Sequence, residues 1–244
     1  MKKLFSVSVT IAVLWFSLVF MCAPSQATVI QDVTAISGVG TSVNLQAQLT
    51  ISDDILTVEL FNLSTDSSKA PDDLLSSYFF DIIDNSGNRP SLTYLSAIGD
   101  VYLTSKKDPD SLEEADADLK AVAFGDGTWQ YTSFDPAIDP FLGFGIGTVG
   151  NSALSPNNLN GNIVDGMDYS IYAGDIATQN LNDRLLVKSG ATFTFSGLTG
   201  FNEGDIAAES VFGLGTAPDS LVHVPEPATI GLLCLGLLVF RKRK

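Results

Sequence analysis

The chemistry that this sequence offers rests on carboxylates, which are densest between residues 108 and 118. Eleven residues there contain six acids, namely Asp108, Asp110, Glu113, Glu114, Asp116 and Asp118. Clustered carboxylate oxygens are the ligands that Ca²⁺ prefers, so the segment is a candidate calcium site. It departs from the EF-hand loop, because Leu112 stands at a ligand position and Glu113 at the required glycine. The alternative is a solvated acidic loop.

Other reactive side chains are scarce. The two cysteines, Cys22 and Cys234, lie in terminal apolar segments, and the single histidine is His223. Apart from His223, which directly precedes the C-terminal segment, the region between the cysteines lacks the residues for Ser-His-Asp or Cys-His catalysis and for an ordinary zinc or copper site. A glycosidase pair of carboxylates stays open, since such pairs meet in space rather than at a fixed spacing. We expect no catalytic residues, no enzyme activity and an exposed linker position for His223.

Two aromatic residues are candidates for sugar binding. Trp129 and Tyr131 alternate on one face of a predicted strand, directly after the turn formed by residues 125–127. Exposed aromatic faces beside polar groups bind sugar rings, which makes the pair a candidate carbohydrate platform. Alternating aromatics in a strand also occur in cores, and that alternative stays open here.

The chain is strongly acidic between its two ends. The formal net charge is −15 over 244 residues, and the segment from Thr28 to Val224 carries 27 acidic and 7 basic residues. A surface with a net charge of −20 repels phosphates and anionic headgroups. We therefore exclude nucleic acid as a partner and expect membrane contact only through the terminal segments.

Residues 1–27 have the order of a secretory signal peptide. Lys2 and Lys3 precede an apolar run from about Val7 to Met21, and Ser25 and Ala27 supply the small residues that signal peptidase requires. We predict cleavage after Ala27 and export of the chain that follows.

The last 20 residues combine a turn, an apolar stretch and a basic tail. Pro225, Glu226 and Pro227 precede 13 uncharged residues, Ala228 to Phe240, and the basic cluster 241–244. Thirteen helical residues rise about 20 Å, against about 30 Å of hydrocarbon in a bilayer. A permanent anchor is disfavoured, whereas a signal that pauses in the membrane before removal fits this length.

These residues resemble the PEP-CTERM sorting domain, which is found on secreted proteins of Gram-negative bacteria that make extracellular polysaccharide. The resemblance rests on Val224 to Ala228, the apolar stretch with Gly231 and Gly236, and the basic tail. It implies that an exosortase recognises Pro225, Glu226 and Pro227. It also implies transient insertion in the inner membrane and final placement at the cell surface or in the extracellular matrix.

The exported region has the pattern of an all-β domain. Residues 42–51 alternate apolar and polar with a period of two, and Ser52 to Asp54 form a turn before a second alternating run, so a hairpin is predicted. Further predicted strands lie at residues 75–83, 92–104, 119–124, 129–133, 163–173, 192–195 and 206–214. Turn-forming Asn, Asp and Gly separate many of them, which favours an antiparallel, jelly-roll-like β-sandwich. One short surface helix is predicted from Ser111 to Lys120, on a capping box of Ser111 with Glu114.

The predicted organisation is therefore a signal peptide (1–27), a β-sandwich domain (28–217), a linker (218–224) and a sorting signal with a short transmembrane helix (225–244). The predicted partners are signal peptidase, an exosortase and extracellular polysaccharide. The predicted function is a structural or adhesive role at the cell surface. A lectin-like module and a carboxylate-dependent glycoside hydrolase are the alternatives.

Overall fold

The structure is a computed structural model that describes residues 27–105, 107–120, 129–134, 143–148, 167–215 and 220–224. This part of the chain is mostly β-strand, with short 3-10 turns at Pro71–Asp73, Gln179–Leu181 and Glu203–Asp205. The strands are β1 Thr28–Ile36, β2 Ser42–Ser52, β3 Ile55–Asn62, β4 Leu75–Phe80, β5 Thr93–Leu103, β6 Ser111–Asp118, β7 Gln130–Ser133, β8 Phe144–Gly147, β9 Ile171–Tyr172, β10 Leu185–Ser196, β11 Val211–Leu214 and β12 Ser220–His223. The predicted all-β class is confirmed.

Hydrogen bonds join these strands into one mixed sheet rather than two separate antiparallel sheets. The main order is β1-β2-β3-β10-β9-β4-β11-β12, with β5 and β6 attached to β10, and β8 and β7 attached to β4. The short pairing of β9 with β10 is parallel, whereas the other strand pairs are antiparallel. β9 divides the sheet into a first half (β1, β2, β3, β10, β5 and β6) and a second half (β4, β8, β7, β11 and β12). The two-sheet jelly-roll is not confirmed, because β9 is hydrogen-bonded to β10 of the first half and to β4 of the second.

The predicted hairpin forms as expected. β2 and β3 pair from Leu45 with Asn62 to Ser52 with Ile55 around a two-residue turn, in which Asp53 has a φ of 56°. Inward residues of β2 are fully buried while their neighbours are part-exposed. The period-two pattern therefore fixed both the strands and the face that meets the core.

Among the described residues, the largest of three clusters of buried hydrophobic residues connects the two halves of the sheet. It combines inward side chains of β2, β3 and β10 with those of β4, β8 and β11. Aromatic rings make much of this contact. The ring centroids of Tyr131 on β7 and Phe195 on β10 lie 5.2 Å apart across the two halves. Within the second half, the ring centroids of Tyr78 on β4 and Phe212 on β11 lie 4.9 Å apart. The Tyr78 hydroxyl donates to the Gln31 side chain of β1, so the first strand is tied to the second half of the sheet.

The predicted helix at 111–120 is wrong. Residues 111–118 form β6, which pairs antiparallel with β5 through two register shifts. The helix propensity of this segment is overridden by strand pairing, because the edge of β5 offers backbone hydrogen-bond partners. The acidic side chains of β6 are mostly exposed, and repeated like charges on an edge strand oppose pairing with further chains.

Besides β6, three strands have no counterpart among the predicted ones. β1 shows a weak pattern because apolar residues also stand on its exposed face, as with Ile30 and Ile36. β8 is short and glycine-rich; a Cβ on Gly145 would lie 2.7 Å from the ring of Phe79, so glycine is needed there. β12 lies within the predicted linker 218–224 and pairs with β11, so much of that segment belongs to the folded domain.

Buried phenols make the domain sensitive to alkali. Tyr78 and Tyr172 are fully buried, and burial raises the pKa of each well above its ordinary range. The stabilising contribution of each neutral phenol is complete below about pH 10, the ordinary pKa of tyrosine. Above it the unfolded chain loses protons that the folded chain keeps, so stability falls by roughly 1.4 kcal/mol per pH unit for each phenol.

We therefore expect cooperative unfolding as the pH rises beyond about 10, with tyrosinate absorbance and loss of β-sheet circular dichroism developing together. Denaturant titrations across this range measure the slope. The Tyr78→Phe and Tyr172→Phe variants should each show a shallower slope. Tyrosinate absorbance from all tyrosines in a domain that keeps its native dichroism would contradict the prediction.

Candidate functional site

The acidic segment is spread along a loop and an edge strand. Asp108 and Asp110 lie in the β5–β6 connection, and Glu113, Glu114, Asp116 and Asp118 follow along β6. Among the described residues, no group of three or more acids, histidines or cysteines is placed to hold a metal ion. The structure does not bring the six acids together, because the side chains of successive strand residues point to opposite faces. Calcium binding stays a prediction without a preformed site.

Asp110 is engaged in contacts of its own. Its side chain is 3% exposed, and Oδ2 accepts from the Tyr172 hydroxyl at 2.7 Å and lies 3.4 Å from Lys188 Nζ. Oδ1 accepts from the Ser105 amide at 2.9 Å. Lys188 Nζ also lies 5.5 Å and 5.4 Å from the ring centroids of Tyr102 and Tyr172. These contacts join the β5–β6 loop to β9 and β10, so Asp110 has a structural role.

A polar cleft of about 430 Å³ lies beside this network. It is lined by Ser105, Lys107, Asp108, Gln179, Asn182 and Asp183. Of the six predicted calcium ligands, Asp108 is the one that contributes to this cleft. The cleft combines charges of both signs with amide and hydroxyl groups, which suits water and small polar solutes.

The predicted carbohydrate platform is wrong for Trp129. Its side chain is 0% exposed, its indole nitrogen donates to the Tyr169 carbonyl at 2.9 Å, and its ring lies 4.9 Å from that of Phe193. Tyr131 is part-buried and packs on the core with Phe144 and Phe195. A ring without an accessible face cannot stack on sugar, so the core alternative holds for this strand.

The last described residues tie the C-terminal segment to the sheet. Val211 of β11 pairs with His223 of β12, and the Val224 amide donates to the Ser210 carbonyl at 2.9 Å. His223 is exposed, as expected, but it stands on a strand rather than in a free linker. Pro225, Glu226 and Pro227 follow at once and lie outside the described residues. At the other end, the exposed Ala27 directly precedes β1.

The profile of the PEP-CTERM protein-sorting motif matches residues 223–244. The chain carries a PEP-CTERM sorting motif. The motif implies a secreted, exosortase-processed protein that transits the membrane. The match begins on the last strand, so the PEP-CTERM motif and the folded domain share His223 and Val224. Neither the curated proteins nor the solved structures contain a match to this chain.

Within the ranges that the structure describes, there is no helix long and apolar enough to cross a membrane. The predicted transmembrane segment at 228–240 and the apolar run of the predicted signal peptide lie outside those ranges.

Proposed function

We propose that this protein is delivered to the cell surface or extracellular matrix by exosortase processing, and that its all-β domain has a structural or adhesive role with extracellular polysaccharide. The observation that carries the proposal is the PEP-CTERM motif at 223–244, which begins on the last residue of β12. A sorting signal directs the transport of the chain that carries it, so the all-β domain is the part of the protein that is exported.

A non-catalytic role is the simpler use of this domain. The buried carboxylates already have donors of their own: Asp73 accepts from Ser37 and from the Lys69 amide, Asp81 from Arg89, and Asp110 from Tyr172. Carboxylates held in this way support the fold rather than serve as a free acid and base. The domain is therefore proposed to act through its surface.

The attachment of the tail limits where processing takes place. Three residues, Pro225 to Pro227, separate Val224 from the apolar stretch that starts at Ala228. Three extended residues span at most about 11 Å. While the apolar stretch is in the membrane, the folded domain must rest close to the membrane surface. The exosortase is then proposed to act on a motif held beside a folded sheet.

We expect Glu226→Ala to block processing. Intact mass of the wild-type protein recovered from the cell surface should show that residues 241–244 are gone, whereas Glu226→Ala should keep them and remain in the inner-membrane fraction. Glu209→Ala, which removes an exposed acid of the folded domain, is the matched control and should be processed normally. A surface-recovered wild-type chain that still ends in the basic tail would overturn exosortase processing in favour of a tail anchor.

The same preparations test the association with polysaccharide. Wild-type protein should sediment with the extracellular polysaccharide of the producing cells and be released when that polysaccharide is removed. Equal retention on cells that lack the polysaccharide would overturn this part of the proposal and leave the sorting part intact.

A further inference from the structure

The outer face of the first half of the sheet carries a row of hydroxyl groups across five strands. Direct pairing brings the following residues side by side on β1, β2, β3, β10 and β5: Thr28, Thr50, Thr57, Thr194 and Ser96. Neighbouring strands lie about 4.8 Å apart, so this hydroxyl row spans roughly 19 Å. Its members come from sequence positions 28 to 194, and no local pattern reveals the row.

The hydroxyl row is open to solvent and ordered. Thr28 is exposed and the other four residues are part-exposed. The Thr28 and Thr50 hydroxyls are hydrogen-bonded at 2.9 Å, and Ser96 is hydrogen-bonded to Thr194. Each hydroxyl has one donor and two acceptor sites, so one hydrogen bond per hydroxyl leaves part of this capacity unused. The β-branched threonines have few rotamers, so little side-chain freedom is lost when a ligand binds.

The rows on either side extend a surface of low charge in which polar side chains alternate with isoleucines. One contains Ser52, Ile55, Ser196 and Thr93, and the other contains Ile30, Gln48, Glu59, Thr192 and Ile98. Within these five strands Glu59 is the one charged residue of the three rows, and the exposed Asp118 of β6 and Asp32 of β1 border them. The contrast with β6 is strong, since that strand alone carries Glu113, Glu114, Asp116 and Asp118. The centre of this face therefore carries a single charge, and further acids lie at its edge.

We propose that this face, centred on the hydroxyl row, is the binding surface for a neutral polysaccharide. The inference rests on the proposed function and names the surface through which it acts. A neutral polymer presents repeated hydroxyl donors and acceptors without charge, which matches the composition of the face. Repeated weak contacts along one polymer chain add up to useful avidity, and bridging waters extend them.

Charge and composition favour this occupant over others. An anionic polysaccharide would be repelled by the net charge of −20 between Thr28 and Val224. Protein interfaces are anchored by aromatic, methionine and arginine side chains at their centre, whereas threonines occupy the centre of this face. If this face paired with the same face of a second copy, the two Glu59 side chains would repel each other where they came close. The centre of such an interface would consist of threonine hydroxyls and would lack the large side chains that usually anchor protein interfaces.

The test uses the mature protein recovered from producing cells, with dextran as the neutral probe and alginate as the anionic one. We expect dextran to retard the wild type in affinity electrophoresis and alginate to have no effect. The triple variant Thr50→Val, Thr57→Val, Thr194→Val keeps β-branched shapes but removes three hydroxyls, and it should bind dextran about tenfold more weakly, a change of about 1.4 kcal/mol. The matched control Thr50→Ser, Thr57→Ser, Thr194→Ser keeps the hydroxyls and should bind within about threefold of the wild type, or about 0.7 kcal/mol.

A single Thr57→Lys change, which places a long side chain in the middle of the hydroxyl row, gives a second route if the valine variant folds poorly; it should also abolish retardation. Dextran binding that survives both the valine and the lysine variants would overturn this surface while leaving polysaccharide association in place. If the wild type does not bind dextran but still sediments with the neutral polysaccharide of its own cells, the same variants are tested for sedimentation with that polysaccharide. Variants that sediment as the wild type does would overturn the inference. A wild-type dimer that Thr57→Lys dissociates would assign the face to self-association instead.

Discussion

Replacing Trp129 by alanine is expected to cost about 3–5 kcal/mol of unfolding free energy, the range for removing a large buried aromatic side chain. The side chain is 0% exposed and packs at 4.9 Å against Phe193. Its loss leaves a cavity and also leaves the Tyr169 carbonyl without its indole donor. Denaturant titration followed by circular dichroism measures the loss. A variant of unchanged stability would contradict the burial of this ring.

Two conservative variants separate the parts of this effect. Trp129→Phe keeps a ring but removes the indole donor, and it should cost about 1–3 kcal/mol through the unsatisfied carbonyl and the smaller volume. Tyr131→Phe keeps the ring of the neighbouring strand residue and should change stability by less than about 0.5 kcal/mol. Because Trp15 lies in the predicted signal peptide, Trp129 would be the sole tryptophan of the mature protein, and its fluorescence reports unfolding directly.

This result also bears on glycan-binding assays. An alanine at position 129 could abolish sugar binding simply because the domain unfolds. Binding lost together with the folded dichroism signal would therefore say nothing about a platform at this position. The variants of the hydroxyl row change part-exposed side chains on the outer face, and circular dichroism of each variant separates a loss of binding from a loss of folding.

Replacing Asp81 by alanine is also expected to destabilise the domain strongly, by about 3–5 kcal/mol, because it breaks the ion pair between this buried carboxylate and the part-buried Arg89 guanidinium. Arg89 donates to Asp81 through Nε at 2.8 Å and through Nη2 at 2.7 Å, and the two side chains are 15% and 3% exposed. The Ile82 amide also donates to Asp81 at 2.9 Å. This pair fastens the end of β4 to the turn that leads to β5.

The double variant Asp81→Ala, Arg89→Met tests the mechanism. It should be more stable than the sum of the two single losses implies, by about 0.5–3 kcal/mol, because both single variants lose the same ion pair and the sum counts that loss twice. Asp84→Asn, in the same turn, is the matched control. Asp84 is part-exposed, and its hydrogen bond with Asn88 lowers the pKa of its carboxyl, so its change should cost far less. Strictly additive losses would show that the two charges do not interact.

Local sequence patterns predicted the all-β class and several strands. The alternation of β2 and β3 depends on neighbouring residues in the same strand, and so it was readable before any partner was known. The turn at Asp84 to Asn88 was equally local: the Asp84 amide donates to the Asn88 carbonyl at 3.0 Å, and Gly87 has a φ of 83°. Such features need no knowledge of distant residues.

Features that depend on distant partners were predicted poorly. The helical capping pattern at 111–120 was real as a pattern, but the strand β6 forms because β5 lies beside it. Trp129 was compatible with either a platform or a core position, and contact with Phe193 of β10 decided for the core. The linker at 218–224 became largely β12 because β11 had an edge to pair with.

The sequence by itself determined how this protein is addressed, since a sorting motif is read as a linear segment whose order of turn, apolar stretch and basic tail is local. It also determined that neither thiol nor imidazole chemistry is available between residues 28 and 222. Only the tertiary structure decided which side chains share a surface. The hydroxyl row exists because the register of five strands aligns residues from positions 28 to 194, and register is a property of pairing across the sheet rather than of any one strand.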